Sequence, residues 1–235
     1  MSVRKFIGDG LRSVVGKQLY IRLRMGAQAE HSYLRKVRGV IHVGANEGQE
    51  RDLYAAFGLN VIWIEPIPEV FQVLRDNISE LQTQRALNYL VADEDGKEYE
   101  FHIANNSGSS SILDLSKHKE MWPGITYTST VTLRGVTLTR ICEIEHLDIS
   151  QFDALVLDTQ GSEYKILMGA TKLLANFKFI KVEVPDFDSY NGCCQIGRLS
   201  EFMLSQGFRE HIRLPFMHVP EVGTYFDVVY KRAHR

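Results

Sequence analysis

A short apolar strand at residues 40–43 runs into a turn that contains Gly44 and Gly48, and this turn has the chemistry of a nucleotide site. Glycine adopts backbone angles that other residues avoid, so a polar ligand can approach the bare backbone and the first amides of the next helix. Glu65 ends the following apolar strand, 21 residues beyond Gly44. This is close to the spacing at which an acid reaches the hydroxyls of a ribose. The turn and the acid together predict a nucleotide-binding site.

The elements around these residues alternate between apolar strands and amphipathic helices. Strands are predicted at residues 61–64, 86–92, 152–157 and 179–184, with helices that begin at Pro68 and near Ser162. Such alternation predicts a parallel sheet with helices on both faces. Ligands then bind outside the carboxyl ends of the strands. Five residues at or just past predicted strand ends are therefore expected to share one cleft: Gly44, Glu65, Asp93, Asp158 and Glu183.

The rest of the chain supplies loops and antiparallel pieces. Residues 99–103 alternate enough to be an antiparallel or edge strand, and residues 126–138 are rich in threonine and β-branched residues, which favours a strand or hairpin. Residues 208–214 and 224–230 predict a closing hairpin. The polar run 105–111 is predicted to be a loop, because short polar side chains compete for backbone hydrogen bonds.

Size and composition predict one domain over residues 39–235, since 235 residues with 44% apolar side chains can bury one full core. The three cysteines are Cys142, Cys193 and Cys194. An odd count with two adjacent members predicts reduced thiols and a cytoplasmic location. The eight histidines show no ligand spacing, so no metal site is predicted.

Residues 1–38 form a basic segment with a predicted helical structure at residues 3–38. They carry nine Lys or Arg against two acids, a balance of +7, while the whole chain is at -2. Such a segment suits a solvated helical extension, and it could also contact a partner or an anionic membrane surface. No nucleic acid is expected as a partner. No apolar run of 18 residues is present, so no spanning helix is predicted.

Three motifs resemble those of the FkbM-type methyltransferases, a class I S-adenosylmethionine-dependent family. They are Ile-His-Val-Gly-Ala-Asn-Glu-Gly at 41–48, Trp-Ile-Glu-Pro-Ile-Pro-Glu-Val-Phe at 63–71, and Leu-Asp-Thr-Gln-Gly-Ser-Glu at 157–163. The resemblance covers roughly residues 39–231. It implies a Rossmann-like, doubly wound and mostly parallel seven-stranded sheet, with a C-terminal antiparallel hairpin and helices on both faces. One position departs from the pattern: His42 stands where the family usually has an acid.

The resemblance also implies S-adenosylmethionine as the cofactor. Glu65 is then expected on the ribose hydroxyls, with a helix cap as its alternative role, and Asp93 near the adenine, with a solvated turn as its alternative. For Asn46, capping of the helix N-terminus is compatible with cofactor contact. The cofactor-binding residues expected from these motifs are His42, Gly44, Ala45, Asn46, Gly48, Glu65, Pro66, Asp93 and Asp158.

Methyl transfer to a hydroxyl requires a base, because the proton must leave as the methyl arrives. Asp158 has the best position for this role, and its alternative role is to hold its own turn. Glu183 interrupts an apolar strand, where a carboxylate needs a partner or a proton, and is the second candidate. The residues expected to contact the acceptor are Ser109, Ser110, Glu163 and Tyr190.

The expected reaction is O-methylation of a sugar, a glycan or a secondary metabolite, as the resemblance implies. Two alternatives stay open from the residues alone. A non-catalytic cofactor-binding or scaffold protein is consistent with His42, and a nicotinamide-dependent dehydrogenase also uses a glycine turn with a distant acid. Magnesium held by Asp158 and a neighbouring acid is conceivable, but the spacing offers no dedicated cage. The sequence does not define the oligomeric state.

Overall fold

The computed structural model describes residues 29–233, and its strands and helices follow the predicted alternation closely. The strands are β1 (Gly39–Val43), β2 (Asn60–Ile64), β3 (Gln84–Leu87), β4 (Leu90–Val91), β5 (Glu98–Ala104), β6 (Tyr127–Val136), β7 (Ala154–Leu157), β8 (Phe179–Pro185), β9 (Phe208–Val219) and β10 (Gly223–Arg232). The α-helices are α1 (Arg51–Ala56), α2 (Pro68–Ile78), α3 (His118–Met121), α4 (Leu138–Ile144), α5 (Glu163–Gly169), α6 (Thr171–Leu174) and α7 (Ile196–Ser205).

Seven strands form the main sheet in the order β3-β2-β1-β7-β8-β10-β9. The first five run parallel, whereas β10 is antiparallel to both β8 and β9. The order reverses between β1 and β7, which is where a doubly wound sheet opens a crevice for a ligand. The predicted fold is confirmed: a Rossmann-like sheet with a C-terminal antiparallel hairpin.

Helices cover both faces of the sheet, so its central strands are apolar throughout. All five residues of β1 and all four of β7 are buried. One face packs against α4 to α7 through residues such as Ile141, Ile166 and Leu199. The other packs against α1 and α2 through Leu53 and Leu74. Continuous apolar strands of this kind are typical of parallel sheets with two covered faces.

The prediction of one strand over residues 86–92 is wrong, because the chain leaves the main sheet at Asn88. The Asn88 side-chain amide donates to the backbone oxygens of Glu65 and Pro66, at 2.8 and 3.1 Å. It thereby ties the turn after β3 to the end of β2. Two separate strands result: β3 lies in the main sheet, and β4 pairs with β6 in a three-stranded sheet of order β4-β6-β5.

The chain before β1 packs onto the main domain where the structure describes it. A 3-10 helix spans Ala29–Lys36. Tyr33 and Leu34 are buried, and the Tyr33 ring lies 5.7 Å from the ring of Phe179 on β8. The predicted helical extension lies mostly at residues 1–28, outside the described part. Within residues 29–233, no helix has the length and apolar character needed to cross a membrane.

Candidate active site

A cleft of about 380 Å³ opens above the carboxyl ends of β1, β2 and β7. We call it the main cleft. Strand ends supply its floor, and the serine-rich run after β5 supplies one wall. Its lining includes these residues from the predicted site: His42, Gly44, Asn46, Glu65, Pro66, Ser110 and Asp158.

The turn after β1 depends on a glycine at position 44. Gly44 has a φ of 78°, and a Cβ built there would lie 1.8 Å from the backbone oxygen of Asp158. That close approach follows from sheet pairing, because the Asp158 amide donates to the Val43 oxygen at 3.0 Å. The next two predicted residues, Ala45 and Gly48, pack beneath the cleft. Ala45 is buried and donates to the Ile64 oxygen, and a Cβ on Gly48 would meet Leu74 of α2 at 2.8 Å.

Glu65 is the central acid of the main cleft and is held in place from two sides. Its Oε2 accepts from the Asn46 amide at 2.9 Å, and its Oε1 accepts from the Ile67 amide at 3.0 Å. Only 4% of the residue is exposed. Burial raises the pKa of Glu65 to about 7, although both amides oppose this rise. Each oxygen keeps a second lone pair that can accept a ligand hydroxyl.

Asn46 links the turn to the serine-rich wall. It adopts a left-handed conformation, with a φ of 45°, which Asn tolerates better than most residues. Its side-chain oxygen accepts from the Ser107 hydroxyl at 2.8 Å. The capping role considered for Asn46 is not observed, since α1 begins at Arg51 and Glu50 precedes it.

The apolar end of the main cleft was missed by reasoning from the sequence. It is formed by Ile67, Leu90 and Phe101, which pack together at the junction of the two sheets. A flat apolar slot beside an acid suits a heterocyclic base attached to a ribose. In the sequence, the one signal for this apolar slot is the position of Ile67, two residues after Glu65.

The structure places Asp93 outside the main cleft. Its carboxylate accepts from the Tyr99 hydroxyl and lies 3.6 Å from Nζ of Lys165. The reason is the break at Asn88, which carries the following residues into the second sheet. Asp93 thus links β5 to α5 in this structure, and its contact with the adenine stays a prediction.

Asp158 lies at the end of β7 with its carboxylate exposed to the main cleft. One oxygen accepts from the Gln160 side-chain amide at 2.8 Å. Burial raises the pKa of Asp158 above its usual value, and the hydrogen bond from Gln160 opposes this rise. A carboxylate with a raised pKa and an open lone pair is suited to accept a proton.

His42 lies beneath the turn, and its ring packs in an aromatic stack. Its ring is stacked on Trp63 at 4.9 Å, and its Nδ1 is 3.2 Å from the Tyr54 hydroxyl. Burial lowers the pKa of His42 to about 4, so the ring is neutral near pH 7. This position therefore carries a neutral hydrogen-bonding group where the resemblance leads one to expect a charged acid.

Three of the four predicted acceptor contacts are buried behind the main cleft. Glu163 accepts from the amides of Thr159 and Gly161, at 2.8 and 3.2 Å, and so holds the turn after β7. The Tyr190 hydroxyl donates to Oε1 of Gln160 at 2.8 Å. Ser109 is 7% exposed and does not line the main cleft, whereas Ser110 does. Glu163 and Tyr190 thus position Thr159 and Gln160, and Ser110 alone of the four faces the ligand space.

A second cavity of about 230 Å³ adjoins the main cleft, and it contains Glu183. His42, Glu50 and Asp158 line both spaces. Glu183 lies within β8 rather than past its end, two residues before Pro185. Burial and the charges of Asp158 and Asp227 hold the pKa of Glu183 well above its usual range. The structure therefore brings Asp158 and Glu183 to one continuous space.

Metal ligands are not assembled in the described residues. Within residues 29–233, no group of three or more His, Cys, Asp or Glu is arranged to hold a metal ion.

Comparison with known proteins gives similar solved structures at low identity. The 1,6-didemethyltoxoflavin-N1-methyltransferase of Burkholderia thailandensis is 11% identical, with 100% of this chain and 92% of that chain covered and a TM-score of 0.48. The magnesium protoporphyrin IX methyltransferase of Synechocystis PCC 6803 is 9% identical, with 93% and 84% covered and a TM-score of 0.47. No curated protein gives a significant sequence match. The family model described as the methyltransferase FkbM domain matches residues 42–210. Because this match spans well over half of the chain, the protein belongs to the FkbM methyltransferase family.

Proposed function

We propose that the protein, a S-adenosylmethionine-dependent methyltransferase, methylates a hydroxyl of a sugar, a glycan or a secondary metabolite. The observation that carries the proposal is the position of Asp158, a carboxylate open to the point where the main cleft meets the second cavity. A base at that point can take the proton of a hydroxyl that enters from the second cavity.

The residues of the main cleft fit the cofactor. Ile67, Leu90 and Phe101 form an apolar slot for the adenine, and Glu65 offers lone pairs to the ribose hydroxyls. The backbone at Gly44 lines the cleft where the amino-acid end would lie. When bound, S-adenosylmethionine supplies an electrophilic methyl group on a sulfonium. The protein must align the acceptor and keep water out, because displacement at a methyl group is in line.

The chemistry assigned to Asp158 is proton removal. A hydroxyl has a pKa far above neutrality, so the proton must pass to a base during the transfer. The Asp158 carboxylate accepts a hydrogen bond from the Gln160 side-chain amide, and the Gln160 side-chain oxygen accepts one from the Tyr190 hydroxyl. This chain of hydrogen bonds orients the carboxylate and leaves one of its oxygens for the acceptor.

Asp158→Asn tests the role directly. The amide preserves size and most hydrogen bonds but is not basic, so single-turnover methyl transfer should fall by on the order of 10²- to 10⁴-fold with cofactor affinity little changed. A loss of less than about tenfold would indicate that Asp158 only holds its turn. If Glu183→Gln then abolished transfer, the base would be Glu183. Near-normal rates in both variants would mean that neither is the essential base.

The acceptor screen needs nucleotide sugars, oligosaccharides and hydroxylated metabolites, with methylation measured as a gain in mass. A nicotinamide-dependent dehydrogenase, which the glycine turn alone would allow, has no support from the family. A protein that binds S-adenosylmethionine and never consumes it with any acceptor would favour the scaffold alternative.

A further inference from the structure

A row of charged side chains crosses the main sheet on the face that carries the 3-10 helix. Lys181 and Glu183 are two residues apart in β8, so both point to this face. Asp227 of β10 pairs directly with Glu183 across the strands. Nζ of Lys181 is 2.8 Å from the Asp227 carboxylate. All three residues line the second cavity, which therefore has a charged floor inside an otherwise apolar sheet.

The second cavity lies on the side of Asp158 opposite to the apolar slot. The main cleft extends from Leu90 and Glu65 to Asp158, over β2, β1 and β7. The second cavity extends from Asp158 over β7, β8 and β10. A cofactor in the main cleft would leave this space open beyond its reactive end.

We propose that the second cavity binds the methyl acceptor, and that the part of the acceptor that enters it is a sugar ring with hydroxyls and without a phosphate or carboxylate. This inference rests on the proposed function, and it narrows the acceptor class.

The charges of the second cavity disfavour anions. Its described lining holds four carboxylates. Asp227 is paired with Lys181, the one lysine of the lining, and burial favours the protonated form of Glu183, so Glu50 and Asp158 are the charges that an entering anion meets. Of the two histidines in the lining, His31 and His42, His42 does not offset these charges, because burial lowers its pKa to about 4. A further negative charge would be repelled at short range in a poorly solvated space.

The hydrogen-bonding capacity of the second cavity suits hydroxyl donors. One oxygen of the Asp158 carboxylate accepts from the Gln160 side chain, and the Glu183 carboxylate faces the same space. Carboxylate oxygens with open lone pairs form strong hydrogen bonds to hydroxyls. The volume of about 230 Å³ is below the ~300–1,000 Å³ typical of sites for drug-sized ligands. One sugar ring suits this space, so a longer glycan would enter by its end.

Binding to the protein saturated with S-adenosylhomocysteine tests the proposal without any methyl transfer. The probes are glucose, galactose and mannose, each with its matched uronic acid, together with glucose 6-phosphate, followed by ligand-observed NMR titration. At least one hexose should bind, and its uronic acid should bind at least roughly tenfold more weakly.

Glu50→Gln, on the helix side of the second cavity, should reduce this discrimination, because the amide has nearly the same shape and no charge. The ratio of hexose to uronate affinity should fall at least about threefold. Glu183→Gln should change the ratio less, because burial already favours the uncharged form of Glu183. Glu143→Gln is the matched control, because Glu143 is an exposed acid that lies outside both spaces.

Three outcomes would overturn the proposal: no hexose binds, a uronate binds as well as its hexose, or Glu50→Gln leaves the ratio unchanged. The variant must also be titrated with S-adenosylhomocysteine and methylthioadenosine. If it loses affinity only for S-adenosylhomocysteine, the second cavity holds the amino-acid end of the cofactor instead. These are equilibrium binding results, so they stay separate from a failure of the Asp158→Asn rate test.

Discussion

Glu65 is a single buried acid that stabilises the fold, and we propose that it also binds the ligand. Its two oxygens already accept the amides of Asn46 and Ile67, which closes the turns after β1 and β2. Burial raises its pKa to about 7 in the free protein. Such a shift favours the protonated form, so its contribution to folding is present at low pH and is lost as the pH rises through about 7.

Cofactor affinity should therefore depend on pH through Glu65. Ribose hydroxyls donate to the ionised carboxylate, so affinity should rise from pH 5.5 to about 7 and then level off. Glu65→Gln should weaken binding at pH 8 by roughly 1.5 to 3 kcal/mol and flatten this rise. Calorimetry with S-adenosylmethionine across this pH range measures both effects. Undiminished affinity in the variant would contradict the ribose assignment.

At the scale of elements, the turn after β1 is set by how closely β7 approaches it. Gly44 and Gly58 both have positive φ, at 78° and 67°, but only Gly44 is crowded. A Cβ on Gly58 has nothing within 4 Å. Substitution of Gly58 therefore measures the free-energy cost of the left-handed conformation alone, whereas substitution of Gly44 adds the cost of the steric clash.

Gly58→Ala should cost about 1 to 2 kcal/mol of unfolding free energy, the cost of a left-handed conformation with a side chain. Gly44→Ala should cost at least ~2 kcal/mol more, because the backbone at the end of β7 occupies the position of the added methyl and would have to shift. Urea unfolding of both variants gives the comparison. Equal losses would show that the approach of β7 to the turn can relax.

Asp153 joins the starting ends of β1 and β7, opposite to the active site. Burial alone would raise its pKa, but hydrogen bonds from Arg38 and an ion pair with Lys178 lower it to about 2. A depressed pKa gives stability that is present above about 4, the unfolded value, and is lost as the pH falls through about 2.

Asp153→Asn should therefore destabilise the protein by about 1 to 2 kcal/mol at pH 7. This loss is smaller than the pKa shift alone implies, because the Arg38 side chain is exposed and solvent screens its charge. The gap between variant and parent should begin to shrink below about pH 4. Urea midpoints at pH 7, 4 and 3 test the sign. A gap that stays constant would mean that the loss does not depend on the charge of Asp153.

For the whole molecule, the boundary of the domain can be tested by truncation. All proposed cofactor contacts lie beyond residue 40, whereas Tyr33, Leu34 and Val37 are buried against the main domain. We propose that residues 1–38 form a basic extension. Its end nearest β1 also contributes buried side chains to the core.

Deletion of residues 1–24 should leave S-adenosylmethionine affinity intact. Deletion of residues 1–38 should lower stability by several kcal/mol, because burial of each large side chain contributes about 1.5–3 kcal/mol. Thermal unfolding and calorimetry on both truncations provide the measurements. A folded protein without residues 1–24 that no longer binds the cofactor would place that segment in the site.

Local patterns in the sequence determined the elements and part of the site. Apolar runs bounded by turn residues defined the strands, and steps of three and four defined the helices, because these periods are set by the backbone itself. The turn at Gly44 and the acid at Glu65 could be assigned for the same reason. Each is defined by residues close to it along the chain.

Only the tertiary structure decided which side chains share a space. Asp93 leaves the main cleft because Asn88 breaks the predicted third strand. Glu183 gains its place beside Asp227 and Asp158 from the pairing of β8 with β10 and β7. Strand order and register depend on contacts between residues far apart in the chain, so no local pattern encodes them. The second cavity is the product of that long-range pairing.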